Sequence, residues 1–291
     1  MKPCQFRYVA ARNLDEAVAI LQAEGSDAKV LAGGQSLVPM LNFRLVRPSV
    51  LLDINRIPGL SGITKSPDGL SIGALTRHTA LETSLLVRQH FPILAAAMGH
   101  VAHLAVRNRG TTGGSLSHAD PAAELPMLAR LLGARIHTRS SAGTGVHEAS
   151  GFFVSALTSA LAHDEIVTST EIPFLPPGTG WGFEEHARRH GDYALAAAAA
   201  TLGRVEGRAV RVRLALMGVG DTPLRMTAAE AVLEGKVLDT SCLTAVVQAV
   251  RDGIEPNSDL HASAGYRRHL AGVLVRRALE CAWERAMEAV A

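Results

Sequence analysis

The sequence predicts an α+β protein built from three successive units, and three observations support this. Strand-like and helix-like segments alternate near the N-terminus. Short strands and helices, separated by glycines and prolines, mix in the middle. One alternating strand and three helical segments fill the last third. The expected units are residues 1–57, 58–175 and 178–291, with the Pro- and Gly-rich stretch 173–182 as a linker.

The N-terminal unit is expected to be a small α/β arrangement. A first helix should follow the capping residue Asn13, because apolar residues recur at helical spacing after it. Residues 29–31 and 50–54 are typical of short buried strands, and residues 32–36 of a tight loop that leads into a second helix.

The middle unit mixes both kinds of element. Alternating apolar residues predict a strand at 70–74, and residues 79–106 look helical with a break at Pro92. Residues 128–137 and 165–172 have the composition of strands.

The last unit is expected to pair a small sheet with a helical bundle. Residues 210–216 alternate clearly and predict a strand, and helices are expected at residues 227–235, 241–252 and 263–289. Residues 192–202 are rich in alanine, and their propensity favours a helix.

Composition excludes several classes of function. Hydrophobic residues make up 47% of the 291 residues, and 29 basic residues against 27 acidic ones give a net charge of +2. Near-neutral charge and only 4% aromatic residues give no basis for a nucleic-acid partner. No apolar run approaches the roughly 20 residues that span a bilayer, and no secretory signal is apparent. We therefore expect a cytoplasmic protein without a transmembrane segment.

The three cysteines also limit the chemistry. Cys4, Cys242 and Cys281 are far apart and odd in number, so no disulfide framework is indicated. A [2Fe–2S] cluster normally needs more thiolates than this chain has. If the chain moves electrons, it must therefore use an organic cofactor.

A first glycine loop is a candidate phosphate site. Two consecutive glycines leave the backbone amides accessible, and the following helix and a serine hydroxyl add to an anion site. An ordinary strand-to-helix turn is the alternative. The loop consists of Ala32, Gly33, Gly34, Gln35, Ser36 and Leu37.

A second loop repeats this chemistry, because a glycine pair is again followed by Ser-Leu. Two such loops favour a diphosphate held from both sides. Neither loop has the spacing of a P-loop or of a dinucleotide fingerprint, which weakens those interpretations. The candidate residues are Gly110, Thr111, Gly113, Gly114 and Ser115.

Polar residues after the second loop are further candidates. Asp120 and Glu124 are suited to accept hydrogen bonds from ribose hydroxyls, although an acidic first turn of a helix explains either one equally well. His118 is a candidate neighbour of an adenine group. The histidine pairs 100/103 and 186/190 lack the rest of a zinc motif, so no metal is expected; no Ser-His-Asp triad is apparent and no catalytic residue is assigned.

These motifs resemble one family specifically: the FAD-binding medium subunit of aerobic-type carbon monoxide dehydrogenases, within the xanthine dehydrogenase (molybdenum hydroxylase) family. The resemblance extends over nearly the whole chain. It implies the vanillyl-alcohol-oxidase (PCMH) type FAD-binding fold of two α/β subdomains, followed by a C-terminal domain of small antiparallel sheet and helical bundle. The segments that carry the resemblance are 30–39, 51–55, 72–77, 107–116, 191–195 and 259–263.

The resemblance implies roles for particular residues. Residues 32–36 and 111–115 would hold the FAD diphosphate, and Glu124 would approach the adenosine half. Asp192 and Tyr193 would place an aromatic ring on one face of the flavin, which makes residues 194–202 a strand against their propensity.

One departure concerns a lysine that relatives often carry near residues 183–185 and that is missing here. If that lysine contacts the flavin in relatives, its role in this chain is either lost or shifted to Arg188 or Arg189.

The resemblance further implies a division of labour. Substrate is oxidised at a molybdopterin cofactor on a large subunit, and electrons pass through [2Fe–2S] clusters of a small subunit to FAD on this chain, in a dimer of heterotrimers. CO, N-heterocycles, purines and aromatic acids stay open as substrates, and quinone, cytochrome, oxygen and NAD as acceptors. The alternatives are a self-contained FAD oxidoreductase of the same fold and a non-catalytic scaffold without flavin.

Overall fold

A parallel three-stranded sheet forms the N-terminal part of the chain in the computed structural model, which describes residues 2–287. The strands lie in the order β1-β3-β2, and all three end at the same edge. Loop 32–36 leaves β2 at this edge, where the carboxyl ends of parallel strands commonly bind ligands. The elements are β1 (Arg7–Ala10), α1 (Leu14–Glu24), a 3₁₀ turn (Gly25–Asp27), β2 (Ala28–Leu31), α2 (Leu37–Asn42) and β3 (Val50–Asp53).

The predicted elements of this part are confirmed. The Asn13 side chain caps α1, because its Oδ1 accepts a hydrogen bond from the backbone N–H of Glu16 at 2.8 Å. Leu52 of the central strand is fully buried, as a strand between two parallel neighbours should be.

An antiparallel five-stranded sheet follows, in the order β4-β5-β10-β6-β7. The predicted strands at 70–74 and 165–172 are confirmed, and so is the helix break at Pro92. The helical stretch predicted over 79–106 has two further breaks, at Ser84 and over residues 99–103, so that it forms four short helices. The elements are β4 (Ile63–Lys65), β5 (Gly69–Gly73), α3 (His78–Thr83), α4 (Leu85–His90), α5 (Pro92–Met98), α6 (Leu104–Arg107), α7 (Thr112–His118), α8 (Glu124–Leu132), β6 (Arg135–Ser140), β7 (Gly143–Glu148), α9 (Ala149–Phe152), β8 (Phe153–Ser155), β9 (Thr158–Ser159) and β10 (Ile166–Pro173).

The prediction of a strand over residues 128–137 was wrong in its first half. Residues 128–132 belong to α8, which is buried along most of its length, so its apolar residues show no polar face that would have marked a helix. Gly133 ends the helix with φ of 69°, a conformation that glycine adopts without strain, and β6 begins at Arg135.

The second glycine loop is shorter than predicted. Thr111 caps α7, so that Gly113, Gly114 and Ser115 lie in its first turn and not in a loop. Each of these residues still presents its backbone at the same edge of the structure as loop 32–36, as described below.

A four-stranded antiparallel sheet and three helices form the last part of the chain. The strands follow in the order β11-β12-β13-β14. The predicted strand at 210–216 and the three predicted helices are confirmed, except that the last helix ends at Arg285, before residues 286–287 of its predicted range. Residues 288–289 of that range lie outside the described residues. The elements are β11 (Gly180–Ala187), β12 (Ala194–Val205), β13 (Arg208–Met217), β14 (Leu224–Arg225), α10 (Thr227–Leu233), α11 (Thr240–Asp252) and α12 (Ala264–Arg285).

The alanine-rich segment is a strand, as the resemblance implied and against its propensity. Ala197 and Ala199 pack into the core shared with the middle part of the chain, whereas Ala196, Ala198 and Ala200 pack into the core formed with the C-terminal helices. A central strand buried on both faces needs small apolar residues on each side, and this tertiary demand overrides helix propensity.

The predicted linker is shorter than residues 173–182. Pro173 ends β10, and Gly180 and Gly182 belong to β11. A Cβ atom on Gly182 would lie 1.9 Å from the backbone oxygen of Ala278, so this glycine lets α12 lie close against the strand. The division into units at 57/58 and 175/178 stays a prediction.

No helix in residues 2–287 is long and apolar enough to span a membrane.

We expect Gly182→Ala to lower the free energy of unfolding by about 1–3 kcal/mol or more, because the added methyl group overlaps backbone atoms of α12 that cannot rotate away. Gly265→Ala, in the first turn of α12 with no atom within 4 Å of the added Cβ, is the matched control and should be neutral or stabilising by up to about 1 kcal/mol. Urea denaturation of both variants measures this. Equal stability of the two variants would contradict the packing described here.

Candidate cofactor-binding site

One cavity of about 630 Å³ brings together all sixteen residues that the sequence singled out. Its volume is in the range of cofactor pockets. The predicted residues in its wall are Ala32, Gly33, Gly34, Gln35, Ser36, Leu37, Gly110, Thr111, Gly113, Gly114, Ser115, His118, Asp120, Glu124, Asp192 and Tyr193.

The two glycine segments touch each other through their backbones. A Cβ atom on Gly33 would lie 2.3 Å from the backbone oxygen of Arg109, whereas one on Gly114 would lie 2.6 Å from Oγ1 of Thr111 in its own segment and 3.8 Å from Cβ of Ala32. A side chain at position 33 would therefore force the two segments apart. Glycine is required here for close approach and not for a special φ angle.

A chain of hydrogen bonds holds the two segments in this contact. Arg77 donates from Nη1 to the backbone oxygen of Arg109 at 2.6 Å and from Nη2 to Oδ1 of Asn55 at 2.8 Å. Asn55 in turn donates from Nδ2 to the backbone oxygen of Ala32 at 2.8 Å. The Arg77 guanidinium thus links the second segment to the first through a single side chain.

Asp120 and Glu124 make part of the cavity wall acidic, and the buried Glu185 lies close to Glu124. Burial raises the pKa of Glu124 to about 8, and the nearby carboxyls of Glu185 and Asp120 act in the same direction. Burial also raises the pKa of Glu185, whose side chain is only 3% exposed, to about 7. Glu124 is therefore mostly protonated at neutral pH.

Glu185 is poorly compensated for its burial. Among the described residues its Oε2 has no hydrogen-bond partner, and its Oε1 lies 3.9 Å from Nδ1 of His100. Burial, followed by the proximity of His190, lowers the pKa of His100, so this imidazole is a weak partner for a carboxylate.

Tyr193 stands at the mouth of the cavity with 68% of its surface exposed. Partial burial, and then Asp120 and Glu124, raise its pKa, which places the phenol near both carboxyls. The turn before it rests on the middle part of the chain, because a Cβ atom on Gly191 would lie 2.6 Å from Cε1 of His103.

The expectation for Arg188 and Arg189 is not supported. Within the described part of the chain, neither residue belongs to the cavity wall, and Arg188 lies 3.1 Å from Nδ1 of His261 on the exposed surface. No group of three or more metal-ligating side chains occurs in residues 2–287.

Sequence reasoning missed several residues of the wall, notably Lys29, His78, Glu165 and Val167. Lys29 and Val167 lie on strands that were predicted, but a strand pattern does not tell which side chains face a cavity. The one available signal for His78 was its position directly after segment 72–77, which carries part of the family resemblance.

Two glycine segments that meet in backbone contact at one cavity are the arrangement expected of a protein that binds a diphosphate-containing cofactor. Residues 4–175 match the family described as FAD binding domain in molybdopterin dehydrogenase, and residues 181–282 match the CO dehydrogenase flavoprotein C-terminal domain. The chain belongs to this family of molybdopterin dehydrogenase flavoproteins. It is a component of an oxidoreductase, and its cofactor is FAD, as predicted.

Whole-chain relatives agree with this. The 6-hydroxypseudooxynicotine dehydrogenase complex subunit alpha of Paenarthrobacter nicotinovorans is 43% identical over 98% of this chain and 97% of its own length. The carbon monoxide dehydrogenase medium chain of Hydrogenophaga pseudoflava is 37% identical over 98% of this chain and 99% of its own length.

Solved structures confirm the fold class. A chain of carbon monoxide dehydrogenase from Hydrogenophaga pseudoflava superposes with a TM-score of 0.97 at 39% identity, covering 99% of this chain and 100% of that one. A chain of quinoline 2-oxidoreductase from Pseudomonas putida 86 gives a TM-score of 0.94 at 41% identity, with the same coverage.

We expect stability to depend on pH through Glu185. A carboxyl whose pKa is higher in the folded than in the unfolded protein binds its proton more tightly when folded, so its contribution is full below about pH 4.5 and is lost as the pH rises through about 7. Glu185→Gln keeps the neutral shape and removes this loss. It should be more stable than the unmodified protein at pH 8, by about 1.4 kcal/mol for each unit of pKa shift, and the difference should be much smaller at pH 5.

Thermal unfolding at both pH values measures the difference, and Glu184→Gln on the other face of the same strand is the matched control. A Glu185→Gln effect of equal size at pH 5 and pH 8 would show that the burial of the carboxylate is not its cause.

Proposed function

We propose that this chain binds FAD non-covalently between its two glycine segments and is the electron-transfer subunit of a heteromeric molybdenum hydroxylase or dehydrogenase. The observation that carries the proposal is the backbone contact between Gly33 and the second segment at one shared cavity. Bound FAD supplies a redox group that takes up electrons singly or in pairs and releases them either way, which suits an electron relay.

The cavity fits this cofactor. Gly33 and Gly114 line the cavity with backbone that carries no side chain, and hydroxyl groups of Ser36 and Thr111 stand in the same wall. We assign the diphosphate to these segments, with further contacts from the rest of residues 32–37 and from 110–115.

The acidic part of the wall is assigned to the flavin half. Glu124, Asp120 and Tyr193 act on one another electrostatically and so face the same part of an extended cofactor. Because Tyr193 and the neighbouring Asp192 are proposed to cover the flavin ring, Glu124 faces that half as well. This revises its expected position beside adenosine.

We assign the adenosine half of FAD to other parts of the wall. Lys29, Leu161 and Val167 are available for it, and His118 keeps its proposed place as a polar neighbour of the adenine.

The partners follow from what this chain does not supply. Its three cysteines, all unpaired, are too few for an iron–sulfur cluster. The names of relatives, "complex subunit alpha" and "medium chain", describe parts of larger complexes. We propose a large molybdopterin-binding subunit and a small [2Fe–2S] subunit as partners, in a dimer of heterotrimers.

In this complex the small subunit reduces the flavin, and an external acceptor removes the electrons. The large subunit determines the substrate, so relatives that act on nicotine derivatives, caffeine and carbon monoxide share this type of chain. Unpaired cysteines suit a reducing compartment, and we place the complex in the cytoplasm.

We expect the chain to be purified with a large and a small subunit and to carry FAD that denaturation releases. The complex should oxidise its substrate, whereas the chain alone should show no turnover beyond the reduction of artificial dyes, because it has no substrate site of its own. Turnover of a substrate by the isolated chain would favour the self-contained oxidoreductase, and purified complex without flavin would favour the non-catalytic scaffold.

We expect Gly33→Ala to lower FAD retention at least about tenfold, because the methyl group would lie 2.3 Å from the backbone oxygen of Arg109 and part the two segments. Gly114→Val should have a similar effect. The matched control is Gly151→Ala in α9, where no atom lies within 4 Å of the added Cβ. FAD released per chain measures retention, and circular dichroism checks that the helices stay folded. Full FAD content in both variants would contradict the proposed site.

A further inference from the structure

His78 is a buried polar side chain in the cavity wall that the assignments above do not use. It is the first residue of α3, it is 7% exposed, and it lines the same cavity as the glycine segments. Its backbone N–H donates to the backbone oxygen of Gly110 at 3.1 Å. A Cβ atom on Gly110 would lie 2.8 Å from Nδ1 and Cε1 of the imidazole, so the ring packs directly against the second glycine segment.

The ring is neutral at physiological pH. Burial lowers the pKa of His78 to about 4, and the positive charges of Arg107 and Arg77 act in the same direction. The Thr111 backbone raises this pKa, although it makes no hydrogen bond of good geometry with the ring. A neutral imidazole has one N–H donor and one acceptor nitrogen.

Neither ring nitrogen has a hydrogen-bond partner among the described residues. Buried polar atoms are almost always paired in folded proteins, and an unpaired one destabilises the fold. A histidine in this position therefore destabilises the protein when no ligand is bound. An apolar residue of similar size would suit the packing against Gly110 better.

We propose that His78 hydrogen-bonds to an oxygen of the diphosphate–ribityl stretch of bound FAD, as a binding residue beneath the second glycine segment. This inference rests on the proposed function, since the glycine segments are assigned to the diphosphate. An uncharged N–H donor adds directional binding there without a further cation beside Arg77 and Arg107, whose repulsion a charged group would increase.

The proposal predicts effects of opposite sign on stability and on binding. His78→Leu removes both unpaired nitrogens and keeps an apolar group in the space. The flavin-free protein should therefore unfold at a higher temperature than the unmodified one, whereas its dissociation constant for FAD should rise about tenfold, as for the loss of one good hydrogen bond. His78→Gln, which keeps an amide donor, should recover part of the affinity.

The measurement is a titration of added FAD into the purified complex stripped of flavin, together with thermal unfolding of the same flavin-free samples. His90→Leu is the control, because this ring lies 4.6 Å from that of Phe174 and outside the cavity wall. It should leave the affinity for FAD unchanged.

Stability and FAD affinity of the two His78 variants together test the inference. Higher stability with weaker FAD binding supports the inference, and unchanged affinity in both His78 variants overturns it. Parallel losses of stability and affinity in both variants show a merely structural role and overturn it as well. Failure of the proposed function is distinguished by Gly33→Ala, since a site elsewhere would leave FAD retention normal in that variant also.

Discussion

The backbone contact between Gly33 and Arg109 is the constraint on which the cavity depends. It joins the carboxyl edge of the parallel sheet to the segment that enters α7. This contact requires the fold to bring two separate sheets close together. Arg77 stabilises this contact through its hydrogen bond to Asn55. Asn55 is itself held in place because its Nδ2 donates to Oδ1 of Asp53 at 2.7 Å. Tyr8 donates to the same Asp53 at 2.6 Å, so the first strand contributes to the arrangement as well.

Strand β12 joins the middle part of the chain to the C-terminal part. Because successive residues of a strand face opposite sides, its alanines belong alternately to the core of the middle part and to the core of the C-terminal helices. The last part of the chain is thereby fixed against α5 and α8, and not merely tethered by residues 174–179. This packing carries Glu185 towards Glu124 and sets Tyr193 at the mouth of the cavity.

Local signals in the sequence predicted the local features of the structure. The cap at Asn13, the alternation at 210–216 and the glycine segments each depend on residues close in sequence, and each was found where expected. Failures occurred where distant contacts decide. Gly180 and Gly182 resembled a linker but serve close packing of α12, and α8 concealed its helical period because it is buried on most sides. Periodicity could not have identified His78 or Glu185, since the burial of a single polar side chain leaves no periodic pattern in the sequence; for His78 only its position after segment 72–77 was a signal.

In the proposed site, the distribution of charge around the cavity favours one direction for the bound cofactor. Burial, and then the neighbouring cation of Arg109, lower the pKa of Arg77, which shows how closely the positive charges gather at the glycine segments. Asp120 and Glu124 lie instead near Tyr193, and Glu185 lies near Glu124. A diphosphate is stabilised at the first place and repelled at the second, while an uncharged ring system tolerates the second. Protonated carboxyls there avoid burying a cluster of negative charges, and they leave proton-carrying groups beside the part of the cavity assigned to the flavin. The same burial that makes Glu124 costly to ionise therefore keeps the cavity wall compatible with the proposed cofactor, which carries negative charge at one point and gains electrons at another.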